Sequence, residues 1–409
     1  MRATLRAPVG DDFDAIVDLA PLRGLSTHAT ALVKLCYEMG PDGCRLAPAQ
    51  PLEHDLRDAR LRPRIPAGSD YWPWKEHTDV IVRGSAFAPE GRPIPRMEVS
   101  ARVGEAEKRV AVFGRREIGW TAAGQPRIGS PAPFSEVPLT YTNAYGGIDP
   151  RVAPPRPQSL GAELRLDVDR PGLYPRNPFG KGYLALPGPV PGVELPNLED
   201  PDDLLTPDRI TAGDPARWYE QPLPWCFDWV SIAMFPRLLF LGTEVWLPAP
   251  DDERLPEVRR GYLPRSFRAE RVMDAGGAHP RLAQEGSYGM VLPRIRGGAP
   301  VTIAGMHPEE PVVAFELPPP PELTFQIEGA AVHAAPRLHH VVVTPAEKRL
   351  IMVYGARAPL ARPFIPGVHK HIPVSVSVDR RPPVAYPAPV PLKERLRQRV
   401  PENRSGKCD

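Results

Sequence analysis

The sequence predicts a mainly β protein with sandwich-like or curved antiparallel sheets, long Pro/Gly-rich packed loops and few short helices. Three observations support this fold class. The chain of 409 residues contains 57 prolines and 34 glycines, and proline at this density interrupts helices. Several segments alternate apolar and polar residues at period two, the pattern of a half-buried strand. Hydrophobic residues make up 42% of the chain, which is enough for a packed core and argues against disorder.

The first strands are predicted before residue 115. The apolar run "TALVKLCYEM", followed by the turn "GPDG", predicts a strand, a turn and a second strand. The run "TDVIVRGSAFAP", which begins at Thr78, is rich in β-branched residues and predicts another strand. In "MEVSARVGEAEKRVAVFG", alternate residues from Met97 to Val103 share one face. This segment therefore predicts a β-hairpin with a loop at residues 104–107.

The middle of the chain, residues 120–225, consists mostly of prolines, glycines and polar turns. We expect this long connection to pack onto the sheets, because aromatic side chains such as Tyr174 can bury large areas of irregular backbone. Alternating segments return after residue 300 and predict further strands. The predicted organisation is a β region with long loops over residues 1–300, a C-terminal β region over residues 301–390 packed on it, and a basic tail over residues 391–409.

Charge and hydropathy exclude several functional classes. Lys and Arg total 51 against 49 Asp and Glu, a net charge of +2, so no global field favours nucleic acid or an anionic membrane. The N-terminal residues lack a signal-peptide core, and the most apolar stretch, 229–242, is too short to span a bilayer. The four cysteines form no CxxC pair. We therefore expect a cytoplasmic protein with no membrane insertion.

The sequence contains no convincing active site, metal site or cofactor site. His369 and His371 share one face of a predicted strand, but no third ligand accompanies them. We therefore predict no metal and no cofactor. The decapeptide "YPRNPFGKGY" contains Gly-Lys-Gly without the spacing of a phosphate loop, and its prolines remove backbone donors. We interpret it as a shaped loop in which Asn177 bonds local backbone and the aromatic residues pin the loop to the sheets.

The order of the segments along the chain is more informative than any one segment. The segment "TDVIVRGSAFAP" is followed by a hairpin ending in "KRVAVFGRR", then by "SPAPFSEVPLTYTNAYGGID", "YPRNPFGKGY" and "LPNLEDP". In this order they resemble domain-of-unknown-function family 2169, whose members are encoded beside type VI secretion genes and serve as effector adaptors or chaperones. The resemblance is strongest over residues 78–201. The segment "GRREIGW" departs from the family pattern at Arg115, and the chain also diverges after "LPNLEDP".

The resemblance implies a non-enzymatic cytoplasmic adaptor or chaperone that binds a type VI secretion effector and helps to load it onto the spike. The implied partners are the secreted effector and the spike protein, with no nucleic acid. Two alternatives stay open. One is a hydrolase or lyase that acts on a cell-wall or polysaccharide substrate through the carboxylates around Glu199. The other is a structural component of a phage-tail-like particle.

Two groups of residues are candidates for functional or structural roles. Aromatic and basic residues are the usual anchors of a protein interface. The expected partner-binding residues are Trp218, Trp225, Trp229, Arg176 and Lys181. A structural role is expected for the motif residues Asp79, Arg83, Tyr145, Gly146, Gly147, Asn177 and Glu199. We expect Arg83 to be at least half-buried, with an acidic partner such as Glu199.

Overall fold

The computed structural model describes residues 3–6, 13–19, 26–53, 68–72, 75–152, 172–213, 220–231, 234, 237, 283–364 and 374–378. Within these residues the protein is mainly β with several antiparallel sheets, which confirms the predicted fold class. Trp218, His369, His371 and the basic tail 391–409 lie outside the described residues. Among the described residues, no helical segment has the length and apolar character needed to traverse a bilayer.

Strands account for most of the regular structure. Those before residue 150 are β1 (Ala3–Arg6), β2 (Phe13–Leu19), β3 (Ser26–Gly40), β4 (Gly43–Leu46), β5 (Thr78–Val82), β6 (Ser85–Phe87), β7 (Arg96–Val103), β8 (Ala106–Phe113), β9 (Ile118–Trp120), β10 (Pro126–Ile128), β11 (Glu136–Pro138) and β12 (Tyr145–Gly146). The later strands are β13 (Lys181–Gly182), β14 (Leu198–Glu199), β15 (Val291–Leu292), β16 (Pro300–Ala304), β17 (Val312–Glu316), β18 (Glu322–Ile327), β19 (Ala330–Ala334), β20 (Arg337–Thr344), β21 (Arg349–Phe364) and β22 (Val374–Ser377). Short 3-10 turns cover Pro89–Gly91, Tyr141–Asn143, Pro207–Arg209 and Pro345–Glu347.

The larger sheet has eight strands in the order β1-β2-β3-β21-β20-β5-β15, with β4 paired to β3. Its centre is the long antiparallel pair of β3 and β21. The strands β20 and β5 run parallel, and their register sets His340 beside Asp79. All residues of β5 are buried, so the strand carries the Asp79 carboxylate into the interior.

The second sheet has five antiparallel strands in the order β14-β8-β7-β16-β17. Its β7–β8 pair is the predicted hairpin, but the turn is shorter than the expected loop 104–107. Val103 pairs with Ala106, which leaves only two residues in the turn. Gly104 has a φ of 59°, a left-handed conformation that glycine adopts without strain. The remaining strands form the pairs β9–β10, β6–β11 and β12–β13 and the small sheet β19-β18-β22.

Strands from both halves of the chain share these two sheets. The strands β16 and β17 extend the sheet begun by β7 and β8, and β20 and β21 lie between β3 and β5. The regions 1–300 and 301–390 therefore contribute to the same sheets. Buried side chains of both sheets, such as Val33, Val99 and Ile303, belong to one hydrophobic core.

The irregular chain around β12 and β13 packs through its tyrosines. Tyr145, Tyr174 and Tyr183 are buried, and their ring centroids lie 5.1 to 6.4 Å apart. Together with residues such as Leu184 and Ile210 they form a second hydrophobic cluster. This packing compensates for the regular backbone bonding that the prolines interrupt.

Candidate functional site

A group of charged side chains and one histidine is enclosed within the protein. We define the buried charge cluster by its residues, which are Lys34, Asp70, Lys75, Asp79, Arg237, Glu285 and His340. Every member is at most 6% exposed. Charged groups are almost never buried this completely unless they are paired, so these residues must neutralise one another.

Lys75 lies at the centre of the buried charge cluster. Its Nζ donates to Asp79 Oδ2 at 2.5 Å and lies 3.4 Å from Glu285 Oε2. It also contacts His340 Nε2, which accepts from the ammonium group through its lone pair. One cation is thus held by two carboxylates and an imidazole nitrogen.

The outer members complete the charge balance. Lys34 Nζ donates to Asp70 Oδ2 at 2.9 Å, and Arg237 Nη2 donates to Glu285 Oε1 at 3.1 Å. The three cations of the cluster are therefore matched by its three carboxylates. Burial by itself raises the pKa of the Glu285 carboxyl, but Lys75 and Arg237 outweigh burial and hold that pKa well below its usual range.

Backbone amides also bond to the carboxylates of the cluster. The N–H of Glu285 donates to Asp79 Oδ2 at 2.8 Å, and the N–H of Ser69 donates to Glu285 Oε1 at 3.1 Å. The N–H of Glu53 donates to Asp70 Oδ2 at 2.9 Å. Two connections, the one between β4 and β5 and the one between β14 and β15, are therefore attached to the cluster, and their positions depend on its carboxylates.

Trp229 forms part of the cover over the cluster. Its indole packs edge-on against the His340 ring, with the centroids 4.9 Å apart. It also lies against Gly68, where a Cβ atom would come within 2.2 Å of the indole. This half-buried side chain, expected to anchor a partner, is fixed on one side by the interior of the protein.

A further buried amine, that of Lys108, lies on β8 outside the buried charge cluster. Its Nζ donates to the Cys226 carbonyl at 2.5 Å and to Ser287 Oγ at 2.9 Å, and it lies 4.4 Å from the centroid of the Trp225 ring. Burial lowers the pKa of Lys108 to about 7. Trp225 is half-buried, and its Nε1 donates to the Arg109 carbonyl at 2.6 Å, so this expected partner anchor is fixed against β8.

Asn177 is the centre of the shaped loop. Its Oδ1 accepts the N–H of Phe179 at 3.3 Å, which is the local backbone bonding expected from the sequence. Its Nδ2 donates to the carbonyls of Tyr141 at 2.7 Å and Tyr145 at 3.1 Å, which are 36 and 32 residues away along the chain. Gly146 and Gly147 both have positive φ. A Cβ atom at Gly146 would lie 2.1 Å from the Asn177 carbonyl oxygen. Glycine is therefore required where these two backbone segments meet.

The two basic residues of the shaped loop are placed differently from each other. Arg176 is 4% exposed, and its Nη1 donates to Tyr174 Oη at 3.2 Å and to the Gln221 carbonyl at 3.1 Å. The expectation that Arg176 faces a partner is therefore wrong, because its guanidinium is used inside the protein. Lys181 is half-buried, with its Nζ 3.3 Å from Glu194 Oε2.

The expectation that Arg83 is at least half-buried is also wrong, and Glu199 is not its partner. Arg83 follows the last residue of β5, where the chain leaves the sheet, and it is exposed. Glu199 is 4% exposed and pairs with Arg116, whose guanidinium carbon lies 3.8 Å from the centroid of the Phe113 ring. The second Glu199 oxygen accepts the N–H of Leu205 at 2.9 Å. Both carboxylate oxygens of Glu199 are therefore committed to structural bonds.

The buried charge cluster contains residue types that perform acid–base chemistry and bind metals. In the described part of the chain, Asp79, Glu285 and His340 form a group whose ligand atoms all lie within 4.8 Å of one another. The Lys75 ammonium lies among these three residues. In this arrangement the cations and carboxylates of the cluster neutralise one another, and their bonds connect segments that are distant along the chain.

Sequence reasoning found Asp79 but missed Lys75, Glu285 and His340 as its neighbours. One signal was present, because Lys34 interrupts the apolar run "TALVKLCYEM" and His340 interrupts "LHHVVV". A polar side chain inside a buried strand needs a partner, so such residues are candidates for one network. Glu285 carries no comparable signal because it belongs to a loop.

These features define a class of protein: mainly β, with sheets that enclose a balanced network of ion pairs and with irregular loops fixed by side-chain hydrogen bonds. A family model described as "Uncharacterized protein conserved in bacteria (DUF2169)" matches residues 25–355. The match covers most of the chain and every member of the buried charge cluster, and the protein therefore belongs to this family. No curated protein and no solved structure matches the chain.

Proposed function

We propose that this protein is a non-enzymatic cytoplasmic adaptor or chaperone that binds a type VI secretion effector and helps to load it onto the spike. The ordered segments over residues 78–201 carry the resemblance on which this secretion role rests. One structural observation supports binding over catalysis. Every acid–base group of the buried charge cluster is at most 6% exposed and bonded within the protein. A general acid or base must reach its substrate, so groups enclosed in this way serve the scaffold.

The arrangement around Glu199 argues against the hydrolase or lyase alternative. Glycoside cleavage needs two carboxyl groups that face a shared cleft. Glu199 is buried with Arg116, and the nearby Asp202 forms a two-pronged bond with Arg109 at 2.7 and 2.8 Å. Because arginines hold both carboxylates, neither is free to act as the acid or base.

We propose that Trp225 and Trp229 anchor the contact with the effector. Each indole is half-buried, so one part is held by the protein while another part reaches the surface. The Trp225 indole is held by the Arg109 carbonyl, and the Trp229 indole lies against Gly68. Side chains that are already ordered lose little conformational freedom on binding, which favours their use as interface anchors.

Affinity capture of the tagged protein from the cytoplasm of the cells that naturally produce it, with the secretion genes expressed, tests the proposed function. We expect one toxin and a spike protein to co-purify. Recovery of neither protein under these conditions contradicts the adaptor role.

Binding of the captured toxin to purified variants tests the anchors. Trp225→Ala should weaken binding by roughly 2 kcal/mol, about 30-fold in Kd. Trp120 is the matched control, because its half-buried indole also donates to a backbone carbonyl, that of Val190 at 2.9 Å. An unchanged affinity for folded Trp225→Ala, or an equal loss in Trp120→Ala, contradicts the proposed surface.

A further inference from the structure

The atoms around the Lys75 ammonium have the spacing of metal ligands. His340 Nε2 lies 3.1 Å from Glu285 Oε2 and 3.8 Å from Asp79 Oδ2. In a tetrahedral zinc site with bonds of about 2.0–2.1 Å, neighbouring ligand atoms lie about 3.3–3.4 Å apart. The two measured separations lie on either side of this value. All three ligand atoms lie within 4.8 Å of one another, so one nitrogen and two carboxylate oxygens surround one point.

The surroundings of these three side chains also match those of a metal site. A metal-binding histidine commonly donates its second ring N–H to a carboxylate. His340 Nδ1 is buried without a hydrogen-bond partner among the described residues, and Asp70 Oδ1 is the nearby carboxylate oxygen at 3.7 Å, so a small shift of the ring would make this bond. The outer oxygen of Glu285 is held by Arg237 at 3.1 Å. In the part of the chain that the structure describes, Asp79 Oδ1 is buried without a hydrogen-bond partner, so its lone pairs are available to coordinate a cation.

We propose that Asp79, Glu285 and His340 form a cation site in which the Lys75 ammonium is a tethered occupant that takes the place of a divalent transition metal ion such as Zn²⁺. An ammonium group is a compact cation with three donors, and three acceptors surround it here. The tether makes the cation part of the chain, so the fold does not depend on a supply of metal. This inference is independent of the proposed adaptor function.

The balance of charges predicts what removal of the ammonium does. The intact cluster has three cations and three carboxylates, so loss of the Lys75 charge leaves an excess of one negative charge. A divalent ion at the same point supplies this charge and one more, so it balances the two facing carboxylates, Asp79 and Glu285, and leaves the whole cluster with one positive charge in excess. The chain without this ammonium should therefore bind Zn²⁺, whereas the native chain should not.

Zinc titration of Lys75→Met tests the proposal, because methionine keeps a long side chain and removes the charge. After treatment with EDTA, we expect calorimetry to show one Zn²⁺ bound per chain, at least about 100-fold more tightly than by the native protein. The Tm of the variant should rise with zinc concentration. The double variant Lys75→Met/His340→Ala should lose this binding, because it lacks the nitrogen ligand.

Lys34→Met is the matched control for the loss of a buried lysine. Lys34 Nζ bonds to Asp70 and to the Pro51 carbonyl, outside the three ligand atoms. This variant should be destabilised without a gain in zinc affinity. Equal zinc affinity in Lys34→Met and Lys75→Met would show that zinc binding depends only on the lost charge and not on the three ligand atoms. This result would overturn the proposal.

A refolding experiment covers the case in which Lys75→Met does not fold in EDTA. The urea-unfolded variant is diluted with and without ZnCl₂, and the β signal is followed by circular dichroism. Recovery of this signal only with zinc supports the proposal. Failure to recover it with zinc overturns the proposal, as does zinc affinity of Lys75→Met no higher than that of the native protein.

Discussion

The buried amine of Lys108 predicts that the stability of the protein depends on pH. The Trp225 ring, the Cys226 carbonyl and the Ser287 hydroxyl enclose this amine, and burial lowers its pKa to about 7. In the unfolded chain a lysine has a pKa of about 10.4. The unfolded chain therefore binds more protons than the folded protein between these two values. The free energy of unfolding should rise with pH from about 7 to about 10, and this group adds no dependence at lower pH.

Lys108→Met removes the titrating group and isolates its contribution. Where the unfolded chain binds one proton more than the folded protein, each pH unit raises the free energy of unfolding by about 1.4 kcal/mol. Since the folded amine is still half-protonated at pH 7, the native protein should gain about 2 kcal/mol relative to Lys108→Met between pH 7 and pH 9.

Urea unfolding of both proteins at several pH values between 6 and 9 measures this difference. Lys108→Arg serves as the control, because its guanidinium is charged at every pH used. The difference in free energy of unfolding between Lys108→Arg and Lys108→Met should therefore not change with pH. A difference between native protein and Lys108→Met that stays flat or decreases from pH 7 to pH 9 would refute this account of the Lys108 environment.

Three further substitutions test the packing described above. Gly68→Ala places a methyl group within 2.2 Å of the Trp229 ring. It should therefore reduce the free energy of unfolding, measured by urea titration, by about 1–3 kcal/mol. An unchanged value would mean that the indole moves aside freely. Glu199→Ala leaves the Arg116 guanidinium buried without its carboxylate, so we expect a loss of roughly 3–5 kcal/mol. In the same titrations, a loss below about 1 kcal/mol would indicate an ordinary surface pair. Asn177→Ala removes the donor to two buried carbonyls and should destabilise the protein by at least about 2 kcal/mol; a thermal scan that matches the native protein would contradict this role.

Most strands could be predicted from the sequence because their signals are local. The turn "GPDG" separates β3 from β4, and alternation identifies the β7–β8 hairpin. The order of strands in the sheets could not be predicted in this way. The parallel pairing of β20 with β5 joins residues 340 and 79, and nothing in either local pattern identifies the other strand.

Charged residues were harder to place than strands. Arg176 lies in a loop rich in proline and glycine, a context typical of exposed residues, yet the Tyr174 hydroxyl and the Gln221 carbonyl hold it inside. Arg83 and Arg116 were both possible partners for Glu199 by charge alone. The pairing of β14 with β8 brings Glu199 to Arg116, and this contact depends on a long irregular connection that has no periodic pattern.

The distance along the chain between β3 and β21 has a consequence for synthesis in the cell. The central strand β3 ends at Gly40, whereas its partner β21 spans Arg349–Phe364. At about 5–20 residues per second, translation delivers β21 roughly 15–60 s after β3 has left the ribosome. During that interval the apolar edge of β3 lacks its native neighbour and is open to wrong pairings. We therefore expect the nascent chain to need protection by ribosome-associated chaperones until residue 364 has emerged.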